Sequence, residues 1–87
     1  MNIEQVWNKI LECEGERFYT KTGLPFDYER TSHDKVKIYR NGEPVGIVSK
    51  EDIDFIIENP NLPRHEYRDV MRTSSYALSL YYSIIEM

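Results

Sequence analysis

The sequence predicts an α+β fold: an N-terminal helix, an antiparallel meander of three or four strands, and then three helices. Three observations carry this. Residues 2–14 have helical periodicity, residues 35–48 alternate around an Asn-Gly turn, and residues 49–86 return to helical periodicity broken by prolines and Thr73-Ser74-Ser75. A chain of 87 residues is expected to be one domain, 1–87, with a modest core and little room for a deep catalytic cavity.

The first helix is read from Ile3, Val6, Trp7, Ile10 and Leu11, which fall on one stripe. Asn2 caps it, with Gln5 three residues on to complete a capping box, and Gly15 ends it. Residues 16–20 read as a short strand, Thr22-Gly23-Leu24-Pro25 as a turn, and Phe26 to Arg30 as a half-buried strand alternating aromatic and charged side chains. After the polar loop Thr31 to Asp34 comes the hairpin. Asn41-Gly42 suits a type I′ turn, because both central residues need positive φ.

That turn predicts a register: Arg40 opposite Glu43, Tyr39 opposite Pro44, Ile38 opposite Val45, Lys37 opposite Gly46, and Val36 opposite Ile47. The core face would then carry Val36, Ile38, Val45 and Ile47, with Trp7 packed on it. Pro44, lacking an N–H, places the last strand at the sheet edge. Ser49 opens the next helix, with Asp52 as its capping-box partner and Ile53, Ile56 and Ile57 as its buried stripe. Phe55 falls on the opposite side, beside Glu51, Asp54 and Glu58.

Asn59-Pro60-Asn61-Leu62-Pro63 cannot continue that helix. A short helix is expected over Arg64–Arg72 with Tyr67, Val70 and Met71 on its apolar side. Thr73-Ser74-Ser75 recaps the chain for a last helix over Tyr76–Glu86. Its apolar residues cover about two thirds of the circumference, leaving Ser79, Ser83 and Glu86 in the remaining arc.

The net charge is -4, and it is unevenly spread. Residues 30–50 carry 5 basic and 2 acidic groups, whereas residues 51–63 carry 4 acidic and none basic. The hairpin is therefore a positive island between acidic helices. Hydrophobic content of 40% and aromatic content of 13% exclude disorder as the main state. Cys13 is the single cysteine, so no internal disulfide forms, which fits a reducing cytosol. Without a signal-peptide pattern or a run long enough to span a membrane, the expectation is a cytoplasmic protein.

No catalytic constellation is found. A Gly-rich phosphate loop, Cys/His metal spacing and Gly-x-Ser-x-Gly are all missing, so no enzyme, cofactor or metal is expected. His33-Asp34 reads as a solvated loop pair, and His65 lies near a proline-rich turn. Cys13, among Glu12, Glu14 and Glu16, has none of the positive surroundings that activate a thiol and reads as a small core residue.

Three surface features remain. Lys35, Lys37 and Tyr39 share the outward hairpin face and could hold phosphates or stack a base, although lysine also protects strand edges. Arg64, Arg68 and Arg72 recur every fourth residue and could meet phosphates, with Glu66 and Asp69 diluting them. Phe55, ringed by acids, and the over-apolar last helix, with Tyr81, Tyr82, Leu78 and Ile85, look like protein-interface residues.

The stretch Gly15-Glu16-Arg17-Phe18-Tyr19-Thr20-Lys21-Thr22-Gly23-Leu24-Pro25-Phe26-Asp27-Tyr28, with Ser49-Lys50 and Ser75-Tyr76 each opening a helix, resembles a small uncharacterised domain of bacterial phage, mobile-element and restriction-associated proteins. That group has no assigned catalytic residues to carry over. The resemblance implies a phage or genome-defence setting. The chain departs from it in its aromatic last helix and in having no fused nuclease domain. Two functions are expected in consequence: a non-enzymatic protein-binding module, such as a phage or mobile-element factor inhibiting a host defence protein, or a small nucleic-acid-binding accessory domain. The partner would be another protein or a second copy, with nucleic acid as the alternative and neither a membrane nor a small-molecule substrate involved.

Overall fold

A computed structural model describes residues 2–87. The elements run α1 (Ile3–Glu12), β1 (Phe18–Tyr19), β2 (Pro25–Ser32), β3 (Lys35–Arg40), β4 (Glu43–Ser49), α2 (Lys50–Glu58), α3 (Arg64–Val70) and α4 (Ser74–Ile85). The strands form one antiparallel meander in the order β1-β2-β3-β4. This is the α+β architecture that the alternation and helical stripes predict, with β4 at an edge.

Both predicted capping boxes form. The Asn2 side chain accepts from the Gln5 N–H at 2.9 Å, and Gln5 Oε1 accepts from the Asn2 N–H at 3.0 Å. Ser49 and Asp52 repeat the exchange at 3.1 and 3.0 Å. Each satisfies donors that a helix start would otherwise leave unpaired.

α1, α2 and α4 contact one another, while α3 packs on α4. The buried sheet face carries Phe18, Phe26, Tyr28, Val36, Ile38 and Val48, and these join Val6, Trp7, Ile10, Ile53, Ile56, Leu80 and Ile84 in one core. Two long-range hydrogen bonds tie α1 to the sheet: Trp7 Nε1 donates to the His33 carbonyl at 2.7 Å, and Tyr28 Oη donates to the Ile10 carbonyl at 2.6 Å.

The hairpin corrects the predicted register. Asn41 and Gly42 take φ of 55° and 79°, as a type I′ turn requires, and Arg40 pairs with Glu43 and Tyr39 with Pro44. Beyond that point Ile38 faces Gly46, Lys37 faces Ile47 and Val36 faces Val48, so Val45 is an extra, unpaired residue. This β-bulge flips the far half of the strand. Val48 is fully buried, while Val45 and Ile47, expected in the core, are 41% and 44% exposed. The bulge has a local cause. Gly46 takes φ of 156°, and a Cβ there would run into Thr73 Cγ2 from the α3–α4 joint. The Thr73 hydroxyl also donates to the Ile47 carbonyl at 2.8 Å.

Two helix boundaries also differ. α3 stops at Val70, leaving Arg72 in the following turn and Val70 54% exposed, whereas Met71 is buried. α4 starts at Ser74, two residues earlier than the apolar run implied, and Ser74 is buried with Ala77 and Leu78. Among the described residues no helix is long and apolar enough to cross a membrane.

Candidate functional site

The feature that gathers the most sequence-predicted surface residues is a groove of about 510 Å³ between the β1 edge, the α2–α3 connection and α4. Tyr19, Thr20 and Lys21 form one wall, and Leu62 and Arg64 contribute the second. Ser79, Tyr82, Ser83 and Glu86 of α4 form the third, over Tyr67 and Leu78. These side chains, from Tyr19 to Glu86, are separated by up to 67 positions in sequence and meet only through the fold.

Each wall has a local origin. The turn after β1 is fixed by Thr20, whose N–H donates to the Leu24 carbonyl at 2.9 Å and whose Oγ1 accepts from the Leu24 N–H at 3.1 Å. That short turn holds Lys21 exposed at the rim. The second wall depends on Tyr67, which is 2% exposed. Its Oη donates to the Asn59 carbonyl at 2.6 Å and accepts from the Leu62 N–H at 3.2 Å, so one buried phenol orders the whole Asn-Pro-Asn-Leu-Pro connection. In α4, the Ser79 hydroxyl is spent on the Ser75 carbonyl at 2.8 Å, a common resting place for a helical serine.

The predicted interface residues divide between surface and core. Tyr82 and Ile85 are exposed, at 45% and 40%, and Tyr81 is half-buried with its ring 5.5 Å from that of Tyr82. Leu78 is only 3% exposed: it is groove floor and core, because α4 packs against three helices and β1 rather than presenting its apolar arc to solvent. Phe55 is half-buried and meets Tyr67 edge-on at 6.2 Å, so it braces the α2–α3 connection instead of standing free among acids. Tyr76 is likewise taken up within the fold, edge-on to Phe26 at 5.2 Å.

The basic candidates do not form one surface. Lys37 and Tyr39 lie opposite Glu29 and Asp27 on the outer sheet face. Tyr39 donates to Glu29 at 2.7 Å, and Lys37 Nζ lies 5.8 Å from the Tyr39 ring centre. The Glu29 carboxylate holds the Tyr39 phenol above its ordinary pKa. The face is thus of mixed charge, with Lys35 exposed at its end. Arg64 and Arg68 are exposed one turn apart on α3, and Arg72 is off the helix. Only Arg64 reaches the groove.

Sequence reasoning missed Tyr19, Lys21 and Thr73. Tyr19 is 56% exposed despite lying in a strand, and its one signal is the alternation with buried Phe18. Among the described residues no cluster of three or more His, Cys, Asp or Glu could hold a metal ion. Cys13 is buried, and burial together with a hydrogen bond to Glu16 raises its thiol pKa, the reverse of an activated nucleophile. No known protein family, curated protein or solved structure matches the chain.

Proposed function

We propose that this chain is a non-enzymatic protein-binding module that docks a partner through the β1–α4 groove. The observation that supports this best is the pair Tyr19 and Tyr82, both about half exposed and lining one concave surface with Arg64. Tyrosine and arginine are the side chains that most often dominate interface energetics, because each supplies a large contact area with a polar end. Ile85, exposed on the same helix as Tyr82, extends the apolar area beyond the groove. In this reading the protein acts in the cytoplasm as a phage or mobile-element factor that occupies a surface of a host defence protein; the lone buried thiol is compatible with that compartment.

The test is retention from a nuclease-treated host lysate on immobilised protein. The unmodified chain should retain a defined protein, and the Tyr19→Ser/Tyr82→Ser variant should lose it without a change in melting temperature. Retention by both proteins alike removes the groove from the function.

Nucleic-acid binding is the second reading, supported by Arg64 and Arg68 one turn apart and free of ion pairs, since Lys50–Glu4 is the one pair found among the described residues. It requires retention of duplex or single-stranded oligonucleotides at low salt, with weaker and less salt-dependent binding once Lys37 and Arg68 are reversed to Glu.

A further inference from the structure

Resting on the protein-binding reading, we propose that the groove selects an acidic segment of its partner: a carboxylate held by Lys21 and Arg64 beside an apolar side chain seated against Tyr19 and Tyr82. The lining carries Lys21 and Arg64 against one acid, Glu86, so it is locally positive in a chain whose net charge is -4. Neither cation is neutralised by an ion pair within the described residues. Tyr82 Oη and Ser83 Oγ likewise make no hydrogen bond there, whereas the Ser79 hydroxyl is already used on Ser75. Free donors therefore outnumber free acceptors in the groove, and an acceptor-rich anionic group completes it. A basic segment would be repelled by the same two cations, which gives the surface its discrimination.

A protein carboxylate fits this site better than the phosphates of a nucleic acid. A polyanion needs a continuous cationic track, and the groove offers only Lys21 and Arg64 with Glu86 beside them, while the overall charge repels a long anionic chain at distance. One or two carboxylates at the groove draw on its local charge alone.

The test uses fluorescence anisotropy with three probes: a short labelled peptide alternating glutamate and phenylalanine, its lysine counterpart, and oligothymidylate. The acidic peptide should bind the unmodified protein, and Lys21→Glu/Arg64→Glu should weaken it by about tenfold or more. That variant should in turn gain affinity for the lysine peptide. Both positions are exposed, so the melt should stay unchanged; Lys21→Gln/Arg64→Gln gives an intermediate loss. Equal affinity for both peptides, tighter binding of oligothymidylate, or no binding of the acidic peptide overturns the proposal. So does self-association in sedimentation that the charge reversal abolishes, which assigns the groove to a second copy. If a lysate partner is lost on Tyr19→Ser/Tyr82→Ser but kept on charge reversal, the docking surface stands and its charge selectivity fails.

Discussion

The two edges of the sheet are finished in opposite ways. At β4 the edge is closed from within: Gly46 gives up its side chain, Thr73 moves into the space, and the Thr73 hydroxyl takes the Ile47 carbonyl. A bulge at Val45 twists what is left, a common way of stopping an edge strand from pairing with another chain. At β1 the strand is only two residues long, and the neighbouring space is an open groove with exposed tyrosines and two cations that make no ion pair among the described residues. One edge is occupied from within by the chain's own Thr73, and the other, where the proposed docking falls, is left open. Exposed apolar side chains alone do not separate them, since Val45 and Ile47 at β4 are as exposed as Tyr82. What separates them is the Thr73 hydroxyl bonded to the Ile47 carbonyl at β4, and Lys21 and Arg64, without an ion pair among the described residues, beside β1.

The largest expected effect comes from the core on which the whole sheet rests. Trp7 is 2% exposed and bonded to the His33 carbonyl, so Trp7→Ala should cost about 3–5 kcal/mol, a large part of the stability of a domain this size. A melt little changed by that substitution would take α1 out of the core.

A narrower change breaks the closed edge only. Gly46→Ala must displace Thr73 Cγ2 and should cost about 1–3 kcal/mol. Adding Thr73→Ser removes that methyl while keeping the hydroxyl, so the double variant should recover part of the loss. Additive losses would mean that Gly46 and Thr73 do not share the space.

A smaller effect is expected from pH. Burial raises the pKa of Cys13 and of Tyr28, so the folded chain holds both protons more tightly than the unfolded one does. The stability they contribute is fully present below pH 9.0, the ordinary thiol value, and is lost as pH rises through the folded-state values. Thermal melts should therefore be flat at neutral pH and fall on the alkaline side, less steeply for Cys13→Ala. An alkaline limb unchanged by that variant assigns the loss elsewhere.

The smallest stability effect belongs to the open edge. Tyr19→Ser/Tyr82→Ser should shift stability by no more than about 0.5 kcal/mol while abolishing partner retention. An unfolded double variant would make these rings core.

Much of this architecture was legible in local signals. Asn41-Gly42 placed the hairpin, Asn2/Gln5 and Ser49/Asp52 placed two helix starts, and the stripe through Val6, Trp7 and Ile10 placed the first core face. The register beyond Tyr39 was not, because the alternation of Val45 and Ile47 is indistinguishable from a buried strand until Thr73 arrives from the far end of the chain. Gly46 inside a strand was the available sign of a bulge. The groove was least legible of all. Tyr82, Leu78 and Arg64 stood out singly, but no periodicity joins them to Tyr19 and Lys21, which reach them only once β1 lies against α4.

The most direct test of the contrast is hydrogen exchange on the protein with and without the partner retained from lysate. The expected result is slowed exchange over residues 19–21, 62–64 and 78–86, with residues 43–49 unchanged. Slowed exchange along 43–49 with the groove unaffected would contradict it and make β4 the docking edge.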